Sequence, residues 1–197
     1  MDGDGDDLDP DSGHRGAGRL DHTDARHLVV MGVSGTGKTT VGQALAERLD
    51  MTFIEGDSLH PPANIAKMSA GTPLDDDDRR PWLEALGALL ALHHADGVST
   101  VLTCSALKRS YRDLLRARVP AGSVSFVHLG APFDVLRARM ESREHFMPAS
   151  LLQSQLDTLE PLGDDEDGGV FDVTAPLADV VADVQRFVCE PPARNTP

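Results

Sequence analysis

Cysteine is nearly missing from this chain. Only Cys104 and Cys189 occur in 197 residues, and their separation fits neither zinc-ligand nor dithiol redox spacing. Aromatic residues make up 4% of the sequence, so any core must be filled by aliphatic side chains. No apolar run approaches the ~20 residues of a membrane span; the longest, "ALGALLAL" at 85–92, is far shorter. The N-terminus is acidic and lacks the apolar stretch of a signal peptide. These absences lead us to expect a cytoplasmic protein without a membrane partner. Positive charge is also scarce. The net charge of −14 argues against a nucleic-acid groove, which is built from surplus Lys and Arg. Lysine is the scarcest cation, with three residues (Lys38, Lys67 and Lys108) against fifteen Arg. Where any cation would serve, the chain uses Arg, so each remaining Lys is a candidate for a role that needs a compact point charge.

What is present alternates between short apolar strands and helices. Residues 1–26 stand apart, with eight Asp against three Arg and hardly an aliphatic. Such a segment cannot bury enough surface to offset its ordering entropy and reads as a disordered acidic tail. The histidines His14, His22 and His27 lack ligand spacing and read as solvated. Strands are expected at 27–31, 52–54, 99–104, 124–129 and 169–173. The intervening helices include one with Val41, Ala44, Leu45 and Leu49 on one face. A second carries Trp82, Leu83, Leu86, Leu89, Leu90 and His93, with Pro81 in its first turn. The closing helix shows Leu177, Val180, Val181, Val184, Phe187 and Val188 on one face. Buried strands separated by helices imply an α/β fold, a parallel sheet covered on both faces. The single domain is expected over 27–189, with 190–197 frayed.

The turn after the first strand, "GVSGTGKT", fits the phosphate-binding pattern G-x-x-x-x-G-K-[ST] between a strand and a helix. Glycines let backbone N–H groups of Gly32, Val33, Ser34, Gly35, Thr36 and Gly37 wrap a phosphate. The helix N-terminus at Lys38, Thr39 and Thr40 adds its partial positive charge. Lys38 is expected on the outer phosphates and the Thr39 hydroxyl on Mg²⁺. A nucleoside triphosphate is therefore the expected ligand, and this leaves GTPases, ATPases and small-molecule kinases open.

Three further stretches narrow the choice: "GDSLHPPANIAKMSAGTPLDDDDRRPWL" at 56–83, "CSALKRSYRDLLR" at 104–116 and "HFMPASLLQSQLDTLE" at 145–160. In this order, and together with the loop, they resemble the gluconokinases of the P-loop small-molecule kinase group, relatives of shikimate and adenylate kinases. The resemblance runs from about 27 to 188. It implies ATP- and Mg²⁺-dependent phosphorylation of the 6-hydroxyl of D-gluconate, giving 6-phosphogluconate for the pentose phosphate pathway. It implies a P-loop kinase fold with five parallel strands, a substrate-binding insertion at about 58–80 and a lid at about 140–162. It allows a homodimer.

Residue roles follow from the same resemblance. Asp57 is the expected general base for the attacking hydroxyl, with capping of a helix over 58–70 as the alternative. Glu55 stands where the family has Asp and is expected to support Mg²⁺ through water. His60, Asn64 and Lys67 are expected on the sugar acid, Lys67 otherwise being a surface charge. Ser105, Lys108 and Arg112 follow the third strand on the edge where ligands of such sheets bind. One of their cations, with the forked Arg112 favoured, is expected to meet the carboxylate. Arg139 and Arg143 lie at i, i+4 before "HFMP" and are expected to cover ATP from the lid. The chain has one residue fewer than the family between Arg143 and His145. The acidic run 75–78 reads as a helix cap rather than a metal site, offset by Arg79 and Arg80. Tyr111 and Cys104 read as packing residues. The competing readings are a P-loop kinase for another polyol acid such as shikimate, and an ATP-binding regulator without catalysis. The intact Lys38, Thr39 and Asp57 oppose the latter.

Overall fold

The computed structural model describes residues 25–142 and 149–189. Arg143 and the expected tail over 1–24 and frayed end over 190–197 lie outside the described residues. Ala25 and Arg26, expected in the tail, belong to the folded body. Ala25 is buried, and the Arg26 carbonyl accepts the Thr100 amide at 3.0 Å.

Five strands form one all-parallel sheet: β1 (His27–Met31), β2 (Thr52–Glu55), β3 (Thr100–Thr103), β4 (Val124–Gly130) and β5 (Gly168–Asp172). Their spatial order is β2-β3-β1-β4-β5, which puts the first strand in the middle. Alternate side chains of β1 feed two separate cores, as the period of two requires. Val29 and Met31 meet Trp82, Leu83, Leu86 and Leu90 of helix α3 (Asp76–Ala95). Leu28 and Val30 meet Val41 and Leu45 of α1 (Lys38–Leu49) and the valines of α7 (Leu177–Cys189). Each such aliphatic, wholly removed from water, contributes about 1.5–3 kcal/mol. The remaining helices are α2 (Pro62–Ser69), α4 (Arg109–Arg116), α5 (Phe133–Glu141) and α6 (Ala149–Thr158).

Three sequence expectations need correction. The helix expected over 58–70 is broken: a 3-10 turn spans Gly56–Leu59, and α2 starts only at Pro62. Two consecutive prolines explain this, since Pro62 fits the first turn of a helix and holds the preceding Pro61 extended. Helix α3 begins at Asp76, so Pro81 falls in its second turn rather than its first. The reason is a strong cap. The Asp75 carboxylate accepts the Asp78 amide, and the Asp78 carboxylate accepts the Asp75 amide, satisfying two donors reciprocally. The acidic run is therefore the start of a helix. His27, expected to be solvated, is fully buried at the start of β1, where its Nδ1 lies 2.8 Å from Thr100 Oγ1 and its Nε2 3.3 Å from His94 Nδ1.

Candidate active site

The loops after β1, β2 and β3 meet at the carboxyl edge of the sheet, where β1 lies between strands reached by crossovers in opposite directions. In the first loop, Gly32, Gly35 and Gly37 have φ of 136°, 85° and 84°. At Gly32 a Cβ would also come within 2.5 Å of the Leu129 carbonyl, so only glycine fits. Gly37 caps α1 without any side-chain hydrogen bond, a helix start suited to an anion. The Thr36 hydroxyl closes the loop by donating to the Val33 carbonyl at 2.9 Å. Lys38 arches back, its Nζ donating to the Gly32 and Val33 carbonyls at 3.0 and 3.2 Å. Thr39 and Thr40 are exposed on the first turn.

The second loop is set by close backbone approach. A Cβ at Gly56 would stand 2.0 Å from the Thr103 carbonyl, so the glycine between Glu55 and Asp57 lets β2 turn against β3. The Gly56 carbonyl accepts Trp82 Nε1–H at 2.8 Å. Its amide donates to Thr103 Oγ1 at 3.2 Å, and the same Thr103 hydroxyl donates to the Glu55 carboxylate. The Glu55 side chain is thus oriented at the strand end. Asp57 lies exposed in the 3-10 turn and caps no helix, which leaves its carboxylate to the cavity.

That cavity is lined by Ser34, Lys38, Asp57, His60, Arg79 and Ser105, with Leu151, Gln155 and Thr158 of α6 along one wall. Lys38 and Asp57 therefore face one space. His60 is nearly buried and stacks on Trp82 with ring centroids 3.9 Å apart. Burial lowers its pKa, a nearby Asp57 opposes this, and the Arg79 charge lowers it further. Ser105 abuts the phosphate loop, its carbonyl accepting the Gly32 amide at 3.3 Å. From α6, Gln155 Oε1 accepts the Ser34 amide at 2.7 Å, tying this helix to the loop.

A second cavity opens on the other side of the loop. It is lined by Gly35, Thr36, Gly37, Thr40, Arg139 and Leu177, among others. Arg139 Nη2 donates to the Val173 carbonyl at 2.7 Å. Leu177, expected in the core, is 42% exposed because it borders this cavity.

Several residues expected at the sugar acid are placed elsewhere. Arg112 is wholly buried and forms a forked pair with Glu166, Nε–Oε1 at 2.8 Å and Nη2–Oε2 at 2.7 Å. Its Nη groups also reach the carbonyls of Ala106, Leu107, Glu160 and Pro161. A guanidinium so occupied cannot clasp a substrate carboxylate, and the expectation for Arg112 is corrected accordingly. It instead ties the loop after β3 to the chain leaving α6. Ala106 has a φ of 44°, and the bond to its carbonyl helps hold that strained residue. Lys108 pairs with Asp76 at 2.7 Å and lies 5.5 Å from the Tyr111 ring. The Tyr111 hydroxyl donates to the same carboxylate, so Tyr111 does more than pack. Lys67 pairs with Asp78 at 2.6 Å. Neither lysine lines the central cavity. Asn64 is buried, donating to the Asp78 carbonyl at 2.8 Å, and lies 3.4 Å from His60 Nδ1; it sets the His60 ring rather than the cavity wall. Cys104 is a core residue, its thiol pushed up to about 12 by burial.

Among the described residues no group of three or more His, Cys, Asp or Glu could hold a metal ion. A Mg²⁺ held by one hydroxyl, waters and substrate phosphates requires no such group, and the exposed Thr39 and the oriented Glu55 offer the hard oxygen donors it takes.

Residues 28–162 match a family described as AAA domain. The chain is 58% identical over 143 residues to a gluconokinase of Gluconobacter oxydans, covering 72% of this chain and 79% of that protein. It is 47% identical over 157 residues to the thermoresistant gluconokinase of Escherichia coli, covering 78% and 88%. Among solved structures, an unliganded sugar kinase from Janibacter superposes with a TM-score of 0.80 at 49% identity, covering 88% of this chain and 99% of the other. A gluconokinase from Sinorhizobium meliloti gives 0.76 at 50% identity, covering 84% and 92%.

Proposed function

The chain belongs to the gluconokinase family, and we infer that it transfers the γ-phosphoryl group of ATP to the 6-hydroxyl of D-gluconate. The observation that carries this reading is that Lys38 and Asp57 line one cavity. The amides of Gly35 to Thr40 receive the ATP phosphates, those of Gly32 and Ser34 being held by the Ser105 carbonyl and Gln155. The cavity bordered by Arg139 and Leu177 takes the rest of the nucleotide. Arg139 borders the nucleotide, and the lid role expected of Arg143 falls outside the described residues.

On the acceptor side, His60 and Ser105 contact the sugar acid, and Asn64 holds the His60 ring. Lys67 and Lys108 act through their carboxylate partners, fixing α2 and α4 against the start of α3. Asp57 accepts the proton of O6 as that oxygen bonds to the γ-phosphorus. The bond from phosphorus to the bridging oxygen breaks, and ADP leaves. Lys38 offsets charge on the transferring oxygens. Thr39, and Glu55 through water, would hold Mg²⁺, which would supply Lewis-acid neutralisation of the phosphates. Closure of α6 over the cavity excludes water, which would otherwise accept the phosphoryl group.

Among the described residues no helix is long and apolar enough to cross a membrane, and a cytoplasmic enzyme acting on a small molecule fits this reading. ADP release measured with gluconate, shikimate and glycerate tests it. Turnover is expected with gluconate alone; acceleration by shikimate and none by gluconate would overturn it.

A further inference from the structure

The sugar acid carries a carboxylate, and the cations considered from sequence for it are committed elsewhere. Arg112 is locked to Glu166, Lys108 to Asp76 and Lys67 to Asp78. One arginine differs from these. Arg79, on the first turns of α3, is 8% exposed and lines the same cavity as Lys38, Asp57 and His60. Among the described residues it has no carboxylate partner. Its recorded side-chain contacts are a 3.4 Å bond from Nε to the Leu74 carbonyl and a 5.8 Å approach of Cζ to the Tyr111 ring centroid. These fix the plane of the guanidinium and leave the two Nη groups without an acceptor among the described residues. Among the described residues the only fully buried side-chain polar atom without a partner is His128 Nδ1, so the Arg79 Nη groups keep access to solvent, and the cavity they line provides it.

A guanidinium so largely buried, with a cavity as its one opening to water and no paired anion, is costly to desolvate. Its position in a ligand cavity is explained if the anion arrives with the ligand. The ring of Tyr111 holds the planar group in place by a cation–π contact, and the Tyr111 hydroxyl is itself fixed on Asp76. A forked donor held in one plane suits a carboxylate in two-point contact.

We propose that Arg79 is the cation that receives the carboxylate of the sugar acid, so that it anchors one end of the acceptor while Asp57 addresses the hydroxyl at the other. This inference rests on the gluconate reading above and names the residue that makes the site selective for an acid over a neutral polyol.

The test compares gluconate with gluconamide, its uncharged analogue, in wild type, Arg79→Gln and Arg79→Lys. In wild type, kcat/KM is expected to favour gluconate by about 10- to 100-fold, the range for a charged hydrogen-bonded pair. Arg79→Gln is expected to erase that preference by raising the KM for gluconate, with the KM for ATP unchanged. Arg79→Lys is expected to recover part of it, because it restores charge without the fork. Each preference is a ratio within one variant, so partial loss of folded protein cancels. Equal losses on both acceptors, with the preference intact, would overturn the Arg79 assignment while leaving the gluconate reading in place. A wild type that ignores gluconate would overturn that reading and this inference with it.

Discussion

In the function proposed above, the molecule meets its ligand with backbone on one side of Lys38 and with side chains on the other. The nucleotide side offers amides from a loop of left-handed glycines and an uncapped helix N-terminus. The acceptor side offers Asp57, His60, Arg79 and Ser105, with His60 stacked on Trp82 and Arg79 set against Tyr111. Phosphates differ little between nucleotides, so a backbone cradle suffices for them. A sugar acid must be told from its neutral and cyclic relatives, which requires placed charges. The difference teaches that the first side fails through backbone geometry and the second through loss of partners.

The largest effect is expected where the acceptor side is braced. Arg112→Met leaves the buried Glu166 with only the Gly163 amide at 2.9 Å and the Arg116 guanidinium at 3.8 Å, and removal of the main partner of such a pair costs about 3–5 kcal/mol. Urea unfolding should show that loss, with turnover of the remaining folded protein also reduced because Ala106 and Leu107 lose their donor. A midpoint equal to wild type would mean that the pair braces nothing. A smaller effect, confined to the other side, is expected from Gly32→Ala. Forcing a Cβ onto a φ of 136° and against the Leu129 carbonyl stores about 1–3 kcal/mol of strain. ATP affinity should fall at least several-fold, whereas the gluconate-over-gluconamide preference stays at its wild-type value. Loss of that preference would break the division between the two sides.

The smallest effect lies far from both. Burial, then the charges of His94 and His93, lower His27 from 6.5 to about 4. Between those values the unfolded chain binds the proton that the folded chain refuses, so stability is retained above about pH 6.5 and falls as pH drops towards 4. His60 and His128 are lowered as well and add to the same slope. Roughly 1–2 kcal/mol should be lost from His27 between pH 7 and 5, read as a lower urea midpoint. A midpoint constant over that range would contradict the buried neutral imidazole.

The two sides also differed in how legible they were. The five strands and the phosphate loop were readable because apolar runs, helical periods and glycine spacing are local properties. The cap at Asp75 was readable for the same reason. The acceptor side was read only in part. Nothing near Arg112 announces Glu166, which lies 54 positions away, so its burial could not be foreseen. Arg79 looked like a counterion to four aspartates; in the fold, Asp76 and Asp78 are taken by Lys108 and Lys67. Of the three scarce lysines, Lys38 lines the central cavity, while Lys67 and Lys108 are paired with Asp78 and Asp76. Gln155, Trp82 and Gly56 were missed in their site roles. Of these, Gly56 alone carried a signal, as a glycine between two acids at a strand end.

The central claim is that the cradle and Asp57 act on one phosphoryl group. Asp57→Asn tests it most directly, because the amide keeps the size of the carboxylate but cannot take the hydroxyl proton. Single-turnover transfer and ATP binding should be measured on the same protein. The account predicts transfer slower by about 10²- to 10⁴-fold with ATP affinity unchanged. Transfer at the wild-type rate would contradict it.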